Sequence, residues 1–256
     1  KAEYAAGVGA GCTGCRACQV ACKQWNERAV RPSKLDGDFT NPKELSSDCY
    51  THINFIEQEK NGQPVWSFVK RQCLHCKEPA CVSVCPVGAL QKTAEGPVSY
   101  NYDKCIGCRY CMVACPFYIP KYEWEKVLPW VQKCSFCAER MKDGLEPACV
   151  KVCPTDTMFH GDRKAVLAEA ERRIKNDPRK YVPHIFGKDE AGGTAWIYIS
   201  AVPFAELGFE TKLPTRALPS FTWASLSTIP GKATALLAGL AAIAYFRNRG
   251  NSQEEE

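Results

Sequence analysis

Between Cys105 and Pro116 the chain reads Cys-Ile-Gly-Cys-Arg-Tyr-Cys-Met-Val-Ala-Cys-Pro. Three thiols at intervals of three residues, then a fourth four residues later followed by proline, suit the ligation of iron–sulfur clusters. Three thiolates on one tight loop grip three corners of a [4Fe–4S] cube, and Cys115, which starts the next segment, reaches toward a different cube. A run of this kind needs companions, and the chain supplies three: Cys12, Cys15, Cys18, Cys22; Cys73, Cys76, Cys81, Cys85; and Cys134, Cys137, Cys149, Cys153. Sixteen of the seventeen cysteines fall into these quartets.

Other uses of so many thiols fit less well. An odd count and three cysteines crowded on one turn argue against a disulfide scaffold. Structural zinc takes paired Cys-x-x-Cys units and only four ligands, so the triple runs overload it. A Rieske centre needs two histidines with two cysteines in another spacing. Net charge is formally +5. If each loaded quartet nets about −2, the holo chain falls to roughly −3, and a nucleic-acid partner is not expected. Lys70, Arg71, Lys104, Arg109, Lys133, Arg140 and Lys151 lie beside ligands, where their fields raise reduction potentials.

The elements that must position these thiols follow from local pattern. Lys1 to Gly11 is small and glycine-rich, without the apolar centre of a signal peptide. Arg31 to Ser47 reads as loop. Tyr50–Glu59 and Pro64–Lys70 are rich in β-branched and aromatic residues and flank Asn61-Gly62, which predicts a hairpin leading into Cys73. Ala89–Gln91 and Val98–Tyr100 predict short strands around Glu95-Gly96. Cys49 is expected as a small buried residue, His75 as a neighbour of ligands or a surface residue, and Trp124 and Trp130 as packing against clusters. Asp162 predicts a helix cap, with Val166, Leu167, Ala170 and Ile174 on one face of a helix to about Lys175. Ala195–Val202 predicts a strand, and neither of these last two segments is expected to carry chemistry.

The second and third quartets form two similar halves, matching the pseudo-twofold ferredoxin fold in which each half lends its fourth cysteine to the other's cluster. Cys73, Cys76, Cys81 and Cys115 are therefore assigned to one cluster, and Cys85, Cys105, Cys108 and Cys111 to a second. The outer quartets pair likewise: Cys12, Cys15, Cys18 and Cys153 at a third, Cys22, Cys134, Cys137 and Cys149 at a fourth. Between Cys137 and Cys149 lie eleven residues, a loop insertion.

From Phe221 to Phe246 the only charge is Lys232. The uninterrupted apolar part is 14 residues, about 21 Å of helix against a hydrocarbon layer of about 30 Å. Counting back to Phe221 supplies the length if Pro230 sits at a kink or a helix start. An all-round apolar helix is buried in lipid or in protein, which predicts a membrane anchor ahead of a helix docked in a partner's groove, with Ala235, Ala238, Gly239 and Ala242 allowing close approach of a neighbouring helix. Arg247 and Arg249 place the C-terminus in the cytoplasm by the positive-inside rule, the hydrophilic Gln253–Glu256 with it, and the cluster domain on the periplasmic face.

The sequence thus predicts an α+β chain of two intertwined bacterial-type double-cluster ferredoxin modules with an inserted β-hairpin and a C-terminal single transmembrane helix. Residues 1–22 and 118–160 form the outer module, 23–70 the inserted loop and hairpin, and 71–117 the inner module. Residues 161–219 form a peripheral helix and extended segment, 220–249 the anchor and 250–256 a cytoplasmic tail. With no catalytic triad, no nucleotide-binding glycine motif and no open metal site, the pattern describes a conductor of electrons.

Cys15–Asn26 (Cys-Arg-Ala-Cys-Gln-Val-Ala-Cys-Lys-Gln-Trp-Asn), Glu146–Thr155 (Glu-Pro-Ala-Cys-Val-Lys-Val-Cys-Pro-Thr), Glu190–Thr194 (Glu-Ala-Gly-Gly-Thr) and the late apolar helix resemble the β subunit of membrane-bound respiratory formate dehydrogenases. The quartets are shared with the iron–sulfur subunits of hydrogenases and of nitrate, dimethyl sulfoxide and polysulfide reductases. The resemblance implies a catalytic subunit with a molybdenum or tungsten pterin, a membrane cytochrome b that passes electrons to quinone, and export on the catalytic subunit's twin-arginine signal. The anchored iron–sulfur subunit of a periplasmic nickel–iron hydrogenase is the alternative partner set. A zinc- or disulfide-stabilised interaction module is the alternative of a different class.

Overall fold

In the computed structural model, residues 4–30, 32, 37–60 and 62–251 are described. Lys1 to Glu3, Arg31 and residues 33–36 of the predicted loop, Asn61 of the predicted turn and residues 252–256 of the predicted tail lie outside them, as does the side chain of Arg249. Two units result, 1–218 and 219–256.

The first unit begins with β1 (Tyr4–Val8), which follows none of the usual strand composition. Its small residues are needed by packing: a Cβ on Gly7 would lie 2.2 Å from the Phe159 ring. Helix α1 (Ala17–Trp25) follows the first cysteine loop. Strands β2 (Thr51–Lys60) and β3 (Gln63–Gln72) pair antiparallel from Thr51 with Gln72 to Lys60 with Gln63. Next come α2 (Ala80–Ser83), the pair β4 (Leu90–Lys92) and β5 (Val98–Tyr100), and α3 (Tyr110–Ala114). A two-residue pair, β6 (Lys121–Tyr122) with β7 (Val131–Gln132), precedes α4 (Ala138–Lys142) and α5 (Ala148–Lys151).

Strand β8 (Met158–Asp162) leads directly into α6 (Arg163–Asn176), whose first turn is capped where the Asp162 carboxylate accepts from the Lys164 N–H at 2.9 Å. The buried Val166 and Ala170 of α6 pack with Ile197 and Ile199, and Leu167 and Ile174 lie against the same group. Strand β9 is Trp196–Tyr198, shorter than the sequence predicts. Ala195 ends it at one side, because its N–H is directed to Leu74 O at 3.0 Å rather than into the sheet. The three-stranded sheet runs β8-β1-β9, with β1 antiparallel to β8 and parallel to β9. Within the segment after residue 160, β9 is built into the core, while α6 buries only Val166 and Ala170 against the sheet and exposes much of the rest.

Two helix contacts repeat the same arrangement. α1 packs on α5, and α2 packs on α3. In each pair one helix follows the first loop of a quartet and the other carries the third cysteine of a different quartet. The main core joins Val8, Ile53, Val69, Phe136, Phe186, Trp196, Tyr198 and Phe209 with Cys18 and Cys149.

The second unit contains α7 (Leu218–Leu226) and α8 (Ile229–Asn251), with Pro230 at the second position of α8, where a missing N–H costs nothing. Leu218–Arg247 is a stretch of 30 residues in which an 18-residue window has mean hydropathy 1.4, the one such stretch among the described residues long and apolar enough to cross a membrane.

Candidate iron–sulfur centre

The cysteine loops owe their shape to left-handed backbone positions. Gly14 and Arg16, His75, Gly107 and Arg109, and Phe136 and Cys137 all have positive φ. Alternation of this kind turns successive N–H groups inward and makes a concave anion-binding surface. Hydrogen bonds follow from it: Gly107 N–H donates to the Cys105 Sγ at 3.4 Å and Phe136 N–H to the Cys134 Sγ at 3.3 Å. The Gly14 N–H acts on Cys12 in the same way, opposing the rise in its pKa that burial causes. Away from the loops, Ala89 N–H donates to the Cys85 Sγ at 3.2 Å.

Each loop is braced from outside. The hairpin lays Phe55 and Phe68 over the first loop, so that a Cβ on Gly14 would come within 2.9 Å of Phe68. The second loop is held by the Glu190–Thr194 turn: Lys77 N–H donates to Gly193 O at 2.9 Å, and Trp196 N–H donates to Leu74 O at 3.0 Å. Arg109 in the third loop lies over Tyr122 and Trp124. The fourth is tied to the first quartet by Asn26, whose amide donates to Cys22 O at 2.8 Å and to its Sγ at 3.6 Å while accepting from the Ser135 hydroxyl at 3.4 Å. Asn26 and Glu190–Thr194 stand out in the sequence as motif residues, and their bracing roles emerge only in the fold.

Cys12, Cys15, Cys18 and Cys153 line one cavity, together with Arg16 and Lys70. Cys22, Cys134, Cys137 and Cys149 line another, with Lys70, Gln72 and Trp196. For the inner quartets, thiolate charge identifies neighbours. After burial, the largest influences raising Cys76 are Cys73, Cys115 and Cys81. Those raising Cys111, to about 11, are again burial first and then Cys105, Cys108 and Cys85. Burial likewise lifts Cys18, Cys81 and Cys134 to about 12. A quartet of such thiols does not ionise by itself; a bound metal deprotonates it outright.

All seventeen cysteines are free thiols. Among the described residues no group of three or more His, Cys, Asp or Glu side chains is placed to hold a single metal ion. The outer quartets surround spaces rather than points, which suits a four-iron cube and not zinc. The polar atoms left over agree with this. Lys70 Nζ, Gln72 Nε2, Trp196 Nε1 and Arg16 Nε are buried donors without a partner, and all four residues line these two cavities. Orphaned donors around a ring of thiols call for a large anionic acceptor, and the sulfides and thiolates of an iron–sulfur cube supply one.

The remaining expected residues fall as follows. Cys49 is buried and its thiol donates to Thr51 O at 3.2 Å. His75 is buried with its Nδ1 accepting from Val98 N–H at 2.9 Å, so its proton sits on Nε2, and burial holds its pKa well below the usual histidine value. Trp124 is exposed, meets Tyr122 edge-on and lies under Arg109 of the third loop, and Trp130 lies against Tyr102; both belong to the connection between β6 and β7. Trp196, from a strand expected to be inert, lies instead in the wall of the second cavity.

Two family models described as 4Fe-4S dicluster domain match this chain, one over residues 64–163 and one over residues 11–89. A Nitratidesulfovibrio vulgaris protein is 38% identical over 95% of this chain and 67% of its own length. The nitrate-inducible formate dehydrogenase iron–sulfur subunit of Escherichia coli K12 is 39% identical over 73% of this chain, which spans 64% of that subunit. The hydrogenase-2 operon protein HybA of Escherichia coli O157:H7 is 36% identical over 77% of this chain and 69% of its own length.

Proposed function

Because the chain belongs to the family of iron–sulfur electron-transfer subunits built on 4Fe-4S dicluster domains, which includes formate dehydrogenase subunits, we propose that it links a formate-oxidising catalytic subunit to a membrane acceptor. It has no catalytic site of its own in this role. The catalytic partner carries a molybdenum or tungsten pterin. The acceptor is a membrane cytochrome b that reduces quinone. Leu218–Arg247 anchors the chain in the cytoplasmic membrane, with Arg247 on the cytoplasmic side and the cysteine-bearing unit on the periplasmic side.

Four [4Fe–4S] clusters fit two dicluster domains. Cys12, Cys15, Cys18 and Cys153 hold one; Cys22, Cys134, Cys137 and Cys149 a second; Cys73, Cys76, Cys81 and Cys115 a third; Cys85, Cys105, Cys108 and Cys111 a fourth. We read the whole as an α+β fold of two intertwined ferredoxin modules with an inserted hairpin. Each cluster, when bound, exchanges one electron at a potential set by charge, hydrogen bonds and burial. The protein's part is to hold the four sites in a row and keep water out. Charge influence between Cys18 and Cys149, Cys134 and Cys73, and Cys81 and Cys111 supports an end-to-end order of the sites. The outermost sites each have one exposed ligand, Cys15 and Cys108.

The two thiol-lined cavities, each walled by cysteines distant in sequence, carry this reading. A second reading, the anchored subunit of a nickel–iron hydrogenase, is favoured by the likeness to HybA. Purifying the detergent-solubilised complex through this chain and measuring its metals separates the two. Formate dehydrogenase partnership predicts molybdenum or tungsten, and reduction of this chain's clusters by formate. Nickel with hydrogen-driven reduction would transfer the chain to the second reading, and a preparation with none of these metals would overturn both.

A further inference from the structure

Lys70 sits near the end of β3 with 2% of its surface exposed. Its Nζ has no hydrogen-bond partner and lies 4.7 Å from the centre of the Trp196 ring. The same side chain walls both outer cavities, the one formed by Cys12, Cys15, Cys18 and Cys153 and the one formed by Cys22, Cys134, Cys137 and Cys149. Among the described residues no carboxylate is paired with it. Burying an ammonium in this way is costly unless anions compensate it, and among the described residues the thiolates on its two sides can do so.

We propose that Lys70 is a shared counter-charge that sets the reduction potentials of the two outer clusters together. The inference rests on the iron–sulfur reading above and adds a role for a residue that is not a ligand. One ammonium between two sites favours the more negative, reduced form of each. Reduction adds one electron to a site, and Lys70 keeps its proton throughout. The inner pair of sites has a different lysine nearby: Lys133, which is already committed to Val98 O at 2.6 Å and Cys134 O at 3.1 Å. Lys70 is thus a positioning and tuning residue for one half of the row.

The test is potentiometric titration of the intact complex with dithionite and dye mediators, read by electron paramagnetic resonance, for wild type, Lys70→Met and Lys70→Arg. In Lys70→Met the reduced-to-oxidised ratio of two clusters at a fixed poise falls on the order of tenfold, about 59 mV for a one-electron couple, while the other two keep their potentials. Lys70→Arg, which keeps the charge, stays near wild type. If Lys70→Met retains its iron and no potential moves, or all four move alike, the proposal fails. If Lys70→Met loses iron, Lys70→Arg decides: wild-type potentials uphold the charge, and a shift of two clusters despite the retained charge overturns it. Absence of iron from the wild type would instead remove the underlying reading.

Discussion

Cys153→Ala costs the protein one cluster of four and leaves the site at Cys22, Cys134, Cys137 and Cys149 loaded, although Cys153 follows Cys149 by only four residues. Cys149 sits within α5 and lines one cavity, while Cys153, past the end of that helix, lines the other. Burial raises the Cys153 thiol, but the backbone N–H groups of Met158, Thr155 and Thr157 outweigh it and bring its pKa below the usual cysteine value. The same N–H groups that lower it would also stabilise a metal-bound Cys153 thiolate. The expected loss is about four irons of about sixteen. The partner loop is identified by combination. Cys15→Ala with Cys153→Ala should lose no more iron than either alone, whereas Cys137→Ala with Cys153→Ala should lose about twice as much. The opposite pattern would put Cys153 with Cys134 and Cys137.

Trp196→Ala carries the largest expected loss of stability in the apolar core. Its side chain is fully buried, its ring meets Phe136 edge-on at 5.4 Å, and it covers Lys70 on the way to the second cavity. Truncating a buried Trp costs about 3–5 kcal/mol. The void would also open the wall behind Cys22 and Cys149 to water. The measurement is the rate of cluster bleaching in guanidinium chloride, which should rise at least tenfold. Trp196→Phe, which keeps one aromatic ring but loses the second ring and the Nε1 donor, should bleach at an intermediate rate. A Trp196→Ala protein that holds its colour as long as wild type would show that the core does not depend on this contact.

How much of this was readable beforehand divides by sequence distance. The quartets are local spacings, and each loop's turns are set by residues within it, so Gly14 and Gly107 already mark the left-handed positions. The helix from Arg163 is announced by its Asp162 cap and its apolar face, and the hairpin by its alternation. Strand β1 was hidden, because Ala5, Ala6 and Gly7 carry no strand signature; they are small to admit Phe159 and to sit between β8 and β9. The sheet is a meeting of residues 150 or more positions apart, which no local pattern records. Lys70 looked like one cation among several beside ligands. Only the three-dimensional packing separates it, buried and unpartnered, from the exposed Lys104. Trp124 meets the third cysteine loop through Arg109, 15 positions earlier, a contact that sequence order does not announce.

The central claim is that the sixteen quartet thiols hold four cubes. Iron and acid-labile sulfide, counted per chain in the anaerobically purified complex after subtracting the metal content of its partner subunits, test it most directly. The expected result is about sixteen of each, in a brown protein whose reduced form shows several interacting paramagnetic signals. A colourless chain that stays folded and keeps its partners with no iron bound, or one saturated at about four zinc ions, would contradict it.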